Sequence, residues 1–265
     1  MNFILIDGSY YVFYRYHAIR MWWSKAFSDA PEKVPEESIE FMNKFTDTFS
    51  NKLFEIEKKN KIISPIRIVA KDCPRKNIWR TKIYPEYKAT RNKESRVGMF
   101  MKKAYADLFV NPFTHAVIHD PALEADDCIA ITTKHILDTY PDCHIWIITS
   151  DTDYLQLANK NITIMDLKGR ILTDSKKCTG DCKIDLLCKI IGGDTSDNIP
   201  SVFTRCGAKT AYKYATNDVL LQKKLSESKD ARDAFTRNSL LIDFNNIPTE
   251  IVTSFKETCL KNKKF

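Results

Sequence analysis

The stretch HAVIHDPALEADDCIAITTKHILDTYPDCHIWIITSDTD, residues 115–153, decides the fold because it joins two short apolar runs through an apolar helical segment. Both runs are rich in β-branched residues, which is typical of buried strands. Two further runs of this kind lie upstream, FILID at 3–7 and IRIVAKD at 66–72, again with helical patterns between them. Strands that alternate with helices predict an α/β fold with a mostly parallel central sheet flanked by helices. In such sheets ligands bind at the carboxyl ends of the strands.

The clearest helical pattern follows VPEES at 34–38. Apolar side chains recur there at spacings of three and four residues, at Met42, Phe45, Phe49, Leu53 and Ile56. This spacing predicts one amphipathic helix between the first and second strands.

The composition is that of a folded protein that is expected to be soluble and intracellular. The chain has 265 residues, of which 43% are hydrophobic and 11% are aromatic. It has no run of about 18 apolar residues, and its first residues lack the basic flank and cleavage site of a signal peptide. The eight cysteines are therefore expected to be reduced thiols. The spacings of Cys178, Cys182, Cys188 and Cys206 match none of the usual zinc-ligand pairs.

Each predicted strand ends in an acid. These acids are Asp7, Asp72, Asp120 and the pair Asp151 and Asp153. Three more carboxylates crowd into four positions in PALEADDCIA at 121–130, where a single acid would suffice to stabilise a helix start. Asp194 and Asp197, in IIGGDTSDNIP, are three residues apart and therefore on one side of a helical turn. Clustered carboxylates with no basic side chain between them bind hard divalent cations, which predicts a Mg²⁺ or Mn²⁺ site.

Outside these acids the chain is strongly basic. The formal net charge is +7, from 41 Lys and Arg against 34 Asp and Glu. The segment 71–93 carries eight of the cations against Asp72 and Glu86, with Trp79, Tyr84 and Tyr87 between them. Cations of this kind follow a phosphate backbone, and interleaved aromatic rings can stack on bases. The pattern favours a nucleic-acid surface next to the acidic site.

Several motifs follow one another in the order found in the 5′ nucleases. They are LIDGSYYVFYRYHA at 5–18, YPEYKATR at 84–91, EADD at 124–127, SDTDYLQL at 150–157, GGDTSDNIP at 192–200 and GAKTA at 207–211. From Ile4 to about Ala215 the chain resembles this family, which includes flap endonucleases, the exonuclease domain of bacterial DNA polymerase I and phage enzymes that remove RNA primers. The resemblance implies a PIN-like α/β nuclease domain at 1–185, which includes a basic arch segment at 71–93. A helical, helix-turn-helix-like region that binds duplex DNA would occupy 186–265.

The resemblance also implies two Mg²⁺ ions, replaceable by Mn²⁺, that lie roughly 4 Å apart. One ion would be held by Asp7, Asp72, Glu124 and Asp126. The second would be held mainly by Asp151, Asp153 and Asp194, with Asp127 and Asp197 acting nearby or through water. One ion would activate the attacking water and the other would stabilise the leaving 3′ oxygen, so that products carry 5′ phosphates. Lys88 and Arg91 match the family's cations that reach the scissile phosphate and stabilise charge in the transition state.

Contacts to DNA are implied over the arch and the helical region. In the arch they involve Arg75, Lys76, Arg80 and Tyr87, with Tyr87 stacking on a base, and Arg15 is a further expected phosphate contact. In SVFTRCGAKTAYKYA, at 201–215, Gly207 opens a helix ahead of Lys209, which suits an anion at a helix N-terminus. The family's loop usually reads GVPGIG and binds K⁺ through its carbonyls. SVFTRCG is one residue longer and lacks two of those glycines, so the sequence puts the presence of a K⁺ site in question.

The sequence thus predicts a Mg²⁺-dependent, structure-specific 5′ nuclease with flap endonuclease and 5′→3′ exonuclease activity in replication or repair. Its partners would be branched or nicked DNA and RNA–DNA primer junctions. The protein is expected to be a monomer, without a membrane partner and without a clamp-binding motif in its basic tail. Two alternatives remain. A PIN-type ribonuclease would not need the YKATR or GAKTA elements, and a catalytically inactive protein that binds branched DNA would have lost some of the nine acids.

Overall fold

The computed structural model describes residues 1–28, 34–91, 96–176, 178–261 and 263. Lys93, at the end of the predicted arch segment, lies outside these residues.

Five strands form one sheet. The strands are β1 (Asn2–Asp7), β2 (Ile66–Ala70), β3 (Ala116–Ile118), β4 (His144–Ile148) and β5 (Ile162–Met165). Their order is β3-β2-β1-β4-β5, and all neighbouring strands are parallel. The four predicted strands and the parallel sheet are therefore confirmed, and β5 is an addition to them.

The helices cover the sheet and build the C-terminal region. The α-helices are α1 (Gly8–Ala26), α2 (Ile39–Asp47), α3 (Asn51–Lys59), α4 (Arg80–Ile83), α5 (Gly98–Lys103), α6 (Ala125–Thr139), α7 (Cys182–Gly192), α8 (Ala208–Ala215), α9 (Asp218–Ser226), α10 (Lys229–Ile242) and α11 (Thr249–Phe255). Short 3-10 helices span Pro35–Glu37, Arg75–Asn77, Thr152–Leu157, Leu172–Asp174, Thr195–Asp197 and Phe244–Asn246, and π-helical turns span Ala104–Leu108 and Lys256–Leu260. None of the described helices is both long enough and apolar enough to cross a membrane.

The prediction of a single helix after VPEES is wrong, because the structure has two helices there, α2 and α3. The Thr48 hydroxyl donates to the Lys44 carbonyl at 2.7 Å, and α2 ends at this point. A short hydroxyl side chain that bonds locally to the backbone competes with continuation of a helix. The apolar spacing still identified the inner face, since Phe45, Phe49 and Leu53 are buried on both sides of the break.

Alternate side chains of β1 point to opposite faces of the sheet and feed two hydrophobic layers. Phe3 and Leu5 join the layer that contains α6. Ile4 and Ile6 join the layer that contains residues of α1, α2 and α3. The sheet is therefore covered on both faces, as predicted. The boundary expected after residue 185 falls inside α7, and the helical region expected beyond it is present.

The order of the strands determines where a site can form. From β1 the chain moves outward to β2 and β3, and it then crosses to the other side of β1 to add β4 and β5. The direction of winding therefore reverses between β1 and β4. In open parallel sheets this reversal opens a crevice at the carboxyl ends of the strands, where ligands bind.

Candidate metal and nucleic-acid site

A cleft of about 240 Å³ lies at this crevice, and acids line it. Its carboxylates are Asp7, Asp72, Glu124, Asp126 and Asp151. They come from the ends of β1, β2 and β4 and from the start of α6. Asp153, Asp194 and Asp197 form an adjoining group, in which one oxygen of each residue lies within 4.8 Å of the others. The structure thus brings together acids that are almost 200 residues apart in the sequence.

Local backbone requirements explain how the first acids are placed. Asp7 ends β1 and caps α1, since its Oδ1 accepts from Tyr10 N at 2.9 Å. Gly8 follows because a Cβ at that position would lie 2.6 Å from the Ala70 carbonyl oxygen. At the start of α6, Glu124 and Asp127 form a reciprocal capping box with the first backbone N–H groups. The helix start and the acidic cluster are therefore the same structure.

Four of the acids have no basic partner. Among the residues that the structure describes, no Lys or Arg lies within 4 Å of the carboxylates of Asp7, Asp72, Asp126 or Asp151. They accept instead from backbone N–H groups and hydroxyls, as when Asp72 accepts from Ala125 N at 2.9 Å and from the Ser9 hydroxyl. We call these four residues the unpaired acids.

Two of the unpaired acids, Asp7 and Asp126, are short of positive charge. Desolvation, followed by the charges of Asp72 and Asp151, raises the pKa of Asp7 to about 7. Desolvation and the charges of Asp127 and Glu124 raise the pKa of Asp126 well above its usual range. A divalent cation would relieve this repulsion, and hard oxygen donors are the ligands that Mg²⁺ and Mn²⁺ prefer. The donor set therefore fits such an ion.

The remaining acids of the cluster are neutralised by the protein itself. Lys88 Nζ lies 2.5 Å from Glu124 Oε1 and 3.5 Å from Asp197 Oδ2. Arg91 Nη2 lies 2.5 Å from Asp197 Oδ1. The expectation that no basic side chain stands between the acids is wrong for this half, because cations enter it from the arch segment and from α7.

Lys189, in the last turn of α7, is the cation that the sequence analysis missed. Its Nζ lies 2.9 Å from Asp194 Oδ2 and also contacts Asp153 Oδ1. Burial opposes ionisation of Asp194, but the charge of Lys189 and the hydrogen bonds from Ser196 outweigh it and lower the pKa of Asp194 to about 2. We call Asp153, Asp194 and Lys189 the paired group. No motif in the sequence identifies Lys189. It stands five residues before Asp194, in the last turn of a helix, where a lysine is common.

Arg80 is part of the core, which corrects the expectation that it contacts DNA. It is 2% exposed, and its guanidinium donates to Asp127 at 2.7 and 2.8 Å and to Glu124 at 3.1 Å. Its Nε donates to the Leu241 carbonyl at 2.7 Å, which joins the arch segment to α10. The Trp79 indole also donates to Asp127, at 2.9 Å. Both oxygens of Asp127 are therefore engaged within the protein.

Two other expected DNA contacts are buried. Tyr87 is 3% exposed, and its hydroxyl donates to Glu124 at 2.9 Å and to Asp197 at 3.2 Å. Its ring therefore cannot stack on a base in this structure. Arg15 is 8% exposed and donates to the Thr48 carbonyl at 2.8 Å, so it connects α1 to the end of α2 instead of reaching a phosphate.

The other expected DNA contacts lie on the surface. Lys76, Gly207 and Lys209 are exposed, and Arg75 is half-buried with a hydrogen bond to the Arg91 carbonyl at 2.9 Å. Gly207 is the N-cap residue of α8, and Lys209 lies in its first turn. Lys209 also lines a pocket of about 870 Å³ together with Lys176 and Lys189. These positions are accessible to a phosphate backbone.

Lys88, Asn198 and Arg205 have left-handed backbone conformations. Lys88 has φ 55°, and its backbone N–H donates to the Asp197 carbonyl at 2.8 Å. Such a conformation costs a non-glycine residue about 1–3 kcal/mol and occurs most often at functional sites. Arg205, in SVFTRCG, has φ 57°. The loop therefore adopts a left-handed backbone without the glycine that this conformation favours.

Comparisons with known proteins agree with this architecture. The model of the 5′-3′ exonuclease N-terminal resolvase-like domain matches residues 2–183. The chain is 28% identical over 229 residues to the 5′-3′ exonuclease of Mycoplasmopsis pulmonis, which covers 84% of this chain and 68% of that protein. It is 27% identical over 218 residues to the ribonuclease H of Enterobacteria phage T4, which covers 74% and 70% of the two chains.

Two further matches differ in extent. The chain is 28% identical over 204 residues to DNA polymerase I of Treponema pallidum, which covers 66% of this chain but only 19% of the polymerase. The structure of the bacteriophage T5 D15 flap endonuclease, solved with DNA and metal ions, superimposes with a TM-score of 0.67 at 19% identity. That match covers 97% of both chains, so the fold extends over the helical region as well as the sheet.

Proposed function

Because the chain belongs to the 5′-3′ exonuclease family, we propose that it is a Mg²⁺-dependent 5′ nuclease that hydrolyses phosphodiester bonds in flapped, nicked or primer-bearing DNA. The observation that carries this proposal is the convergence of the four unpaired acids in one cleft at the reversal of the sheet. Relatives support it by their names, which are 5′-3′ exonuclease for the M. pulmonis protein and ribonuclease H for the phage T4 protein. The phage T5 flap endonuclease was solved with both DNA and metal ions.

The acids would hold two ions. Asp7, Asp72, Glu124 and Asp126 would bind the first. Asp151, Asp153 and Asp194 would bind the second. When bound, the ions would supply activation of the attacking water and stabilisation of the charge on the leaving oxygen. Asp127 and Asp197 would support the site from its edge, because they hold Arg80, Lys88 and Arg91 in place.

Lys88 and Arg91 would act on the phosphate. Both side chains line the cleft beside the acids. Lys88 is buried, so its charge acts in a medium of low polarity, where it stabilises an anion more strongly than in water. In the folded protein its partners are Glu124 and Asp197, and a phosphate beside them would be a third anion for the same ammonium group.

The exposed cations would bind the rest of the substrate. Arg75 and Lys76 would contact the single-stranded 5′ end, and the N-terminus of α8 with Lys209 would contact the duplex. RNA–DNA primer junctions are included among the substrates because the phage T4 relative is named a ribonuclease H. A K⁺ ion at the Arg205 loop is part of the proposal only if the left-handed turn there presents its carbonyls to an ion.

Labelled flap, nicked, single-stranded and RNA-primed duplexes, each with Mg²⁺ and with EDTA, test the proposal. We expect cleavage at flaps, nicks and primer junctions with Mg²⁺ alone. Cleavage of single-stranded RNA only would indicate a PIN-type ribonuclease, and binding without cleavage would indicate an inactive DNA-binding protein. Asp126→Asn should abolish cleavage. Asp120→Asn is the matched control, because Asp120 lies two residues after β3 and outside the cleft, where it accepts from Ala122 N at 2.8 Å.

A further inference from the structure

Lys189 stands at the border between two features of the molecule. On one side its ammonium group contacts Asp153 and Asp194, which would bind the second metal ion. On the other side the same residue lines the pocket of about 870 Å³ that extends to Lys209 at the start of α8. A single flexible side chain therefore adjoins both the metal ligands and the surface proposed to bind duplex DNA.

The ammonium group and a divalent ion would compete for these oxygens. Lys189 Nζ lies 2.9 Å from Asp194 Oδ2, which is within hydrogen-bond distance, and it contacts an oxygen of Asp153 as well. An ion that bound both carboxylates would be repelled by the ammonium group of Lys189, since both are positively charged. The side chain would have to move away, and the pocket is the adjoining open space. Among the acids proposed for the first ion, Glu124 is paired with Lys88 and Arg80, whereas Asp7, Asp72 and Asp126 have no such competitor among the described residues.

We propose that Lys189 is an internal counter-ion that exchanges with the second metal ion, and that a phosphate of the duplex is its alternative partner in the adjoining pocket. This inference rests on the proposed function. Metal binding releases Lys189 towards the duplex, and the duplex draws Lys189 away from the acids. Each ligand therefore strengthens the binding of the other, since coupling between two sites is reciprocal. Without DNA the protein should have one strong and one weak metal site.

Mn²⁺ binding tests this exchange without relying on turnover. Free Mn²⁺ is measured by electron paramagnetic resonance, with and without a closed dumbbell duplex that has no 5′ end. In the wild type we expect one strong site and one weaker site, and the duplex should tighten the weaker site by about tenfold. Lys189→Met should tighten that site to a similar extent without DNA and should abolish the effect of the duplex.

Two variants serve as controls. Lys183→Met removes the same charge from an exposed position on α7 and should behave like the wild type. Lys189→Arg keeps the charge at the site and should keep the second site weak. It also shows whether changes in Lys189→Met come from charge or from altered folding, which circular dichroism checks directly.

The outcomes separate this inference from the function on which it rests. If Mn²⁺ binds but Lys189→Met matches the wild type, the exchange is refuted and the nuclease proposal stands. If Lys183→Met changes binding as much as Lys189→Met, the effect is one of overall charge and the exchange is again refuted. If the wild type binds no Mn²⁺ at all, the metal-dependent function and the exchange both fail.

Discussion

Asp126 and Asp127 are neighbours in the sequence, yet their removal should change stability in opposite directions. Asp127 is fully buried and accepts two hydrogen bonds from Arg80, at 2.7 and 2.8 Å, and one from Trp79 at 2.9 Å. Asp126 is one of the unpaired acids. Asp127→Asn therefore removes the main partner of a buried cation, whereas Asp126→Asn removes a charge from a site that already has too many.

The loss of stability in Asp127→Asn depends on the contacts that Arg80 keeps. Removal of one partner of a buried ion pair costs about 3–5 kcal/mol, because the other charge stays buried. Arg80 would keep Glu124 at 3.1 Å and the Leu241 carbonyl at 2.7 Å. We therefore expect the free energy of unfolding to fall by about 3 kcal/mol, the lower end of that range. This change lowers the melting temperature by roughly 6–12 °C in a chain of this size.

The expected gain from Asp126→Asn follows from the direction of its pKa. Desolvation and the charges of Asp127 and Glu124 raise the pKa of Asp126, so the ionised carboxylate is less favourable in the folded chain than in the unfolded chain. The folded state loses stability as the pH rises above the unfolded pKa, and asparagine removes that loss. At pH 8 in EDTA the variant should be more stable than the wild type.

Urea unfolding in EDTA at pH 8 measures both effects. If Asp127→Asn unfolds within about 0.5 kcal/mol of the wild type, the Arg80 contacts do not contribute as argued. If Asp126→Asn is as unstable as Asp127→Asn, Asp126 is not short of positive charge. As a further check of the prediction, addition of Mg²⁺ should stabilise the wild type more than it stabilises Asp126→Asn.

The remaining predictions concern cleavage and binding. Lys88→Ala should raise the transition-state free energy of single-turnover cleavage by about 3 kcal/mol and so lower the rate, with little change in affinity for the flap. Equal losses of cleavage rate and of flap affinity would make Lys88 an ordinary backbone contact. Asp153→Asn should lower cleavage by several orders of magnitude at saturating Mg²⁺, and near-normal turnover would remove Asp153 from the metal ligands. Lys209→Ala should weaken binding to every duplex-bearing substrate and reduce the salt slope by about one, with single-stranded binding unchanged. Replacement of K⁺ by Na⁺ at fixed ionic strength should not alter cleavage, and a clear K⁺ preference would show that the Arg205 loop binds the ion.

The sheet was predictable because its strands are mostly apolar and rich in β-branched residues, and the central strand β1 is buried on both faces. The fifth strand, ITIM at 162–165, has the same character and is also followed by an acid, Asp166. That acid is 2% exposed and accepts from the Arg170 backbone and guanidinium, so it closes its own turn and contributes nothing to the cleft. An acid after a strand thus predicts the position of the cleft edge but not whether its carboxylate faces the cleft.

The site was predictable in its acids but not in the partners of those acids. The motifs that carry the carboxylates are local, so one sequence suffices to find them. The cations that neutralise them are set by packing between remote segments, as with Arg80, which bonds to a residue 161 positions away. Burial decides their role as well, since a count of basic residues between 71 and 93 does not separate the exposed Lys76 from the buried Arg80.

The two halves of the acidic cluster should therefore contribute differently to stability and to catalysis. At the unpaired acids a bound cation relieves repulsion that the folded chain otherwise bears, so its binding energy adds directly to the stability of the fold. At Asp153 and Asp194 a bound cation only replaces Lys189, so the net gain in stability is the difference between two favourable partners. The resistance of the fold to unfolding reports mainly on the first half. We expect the rate of cleavage to require both halves, because the proposed second ion would lie among the carboxylates that Lys189 holds.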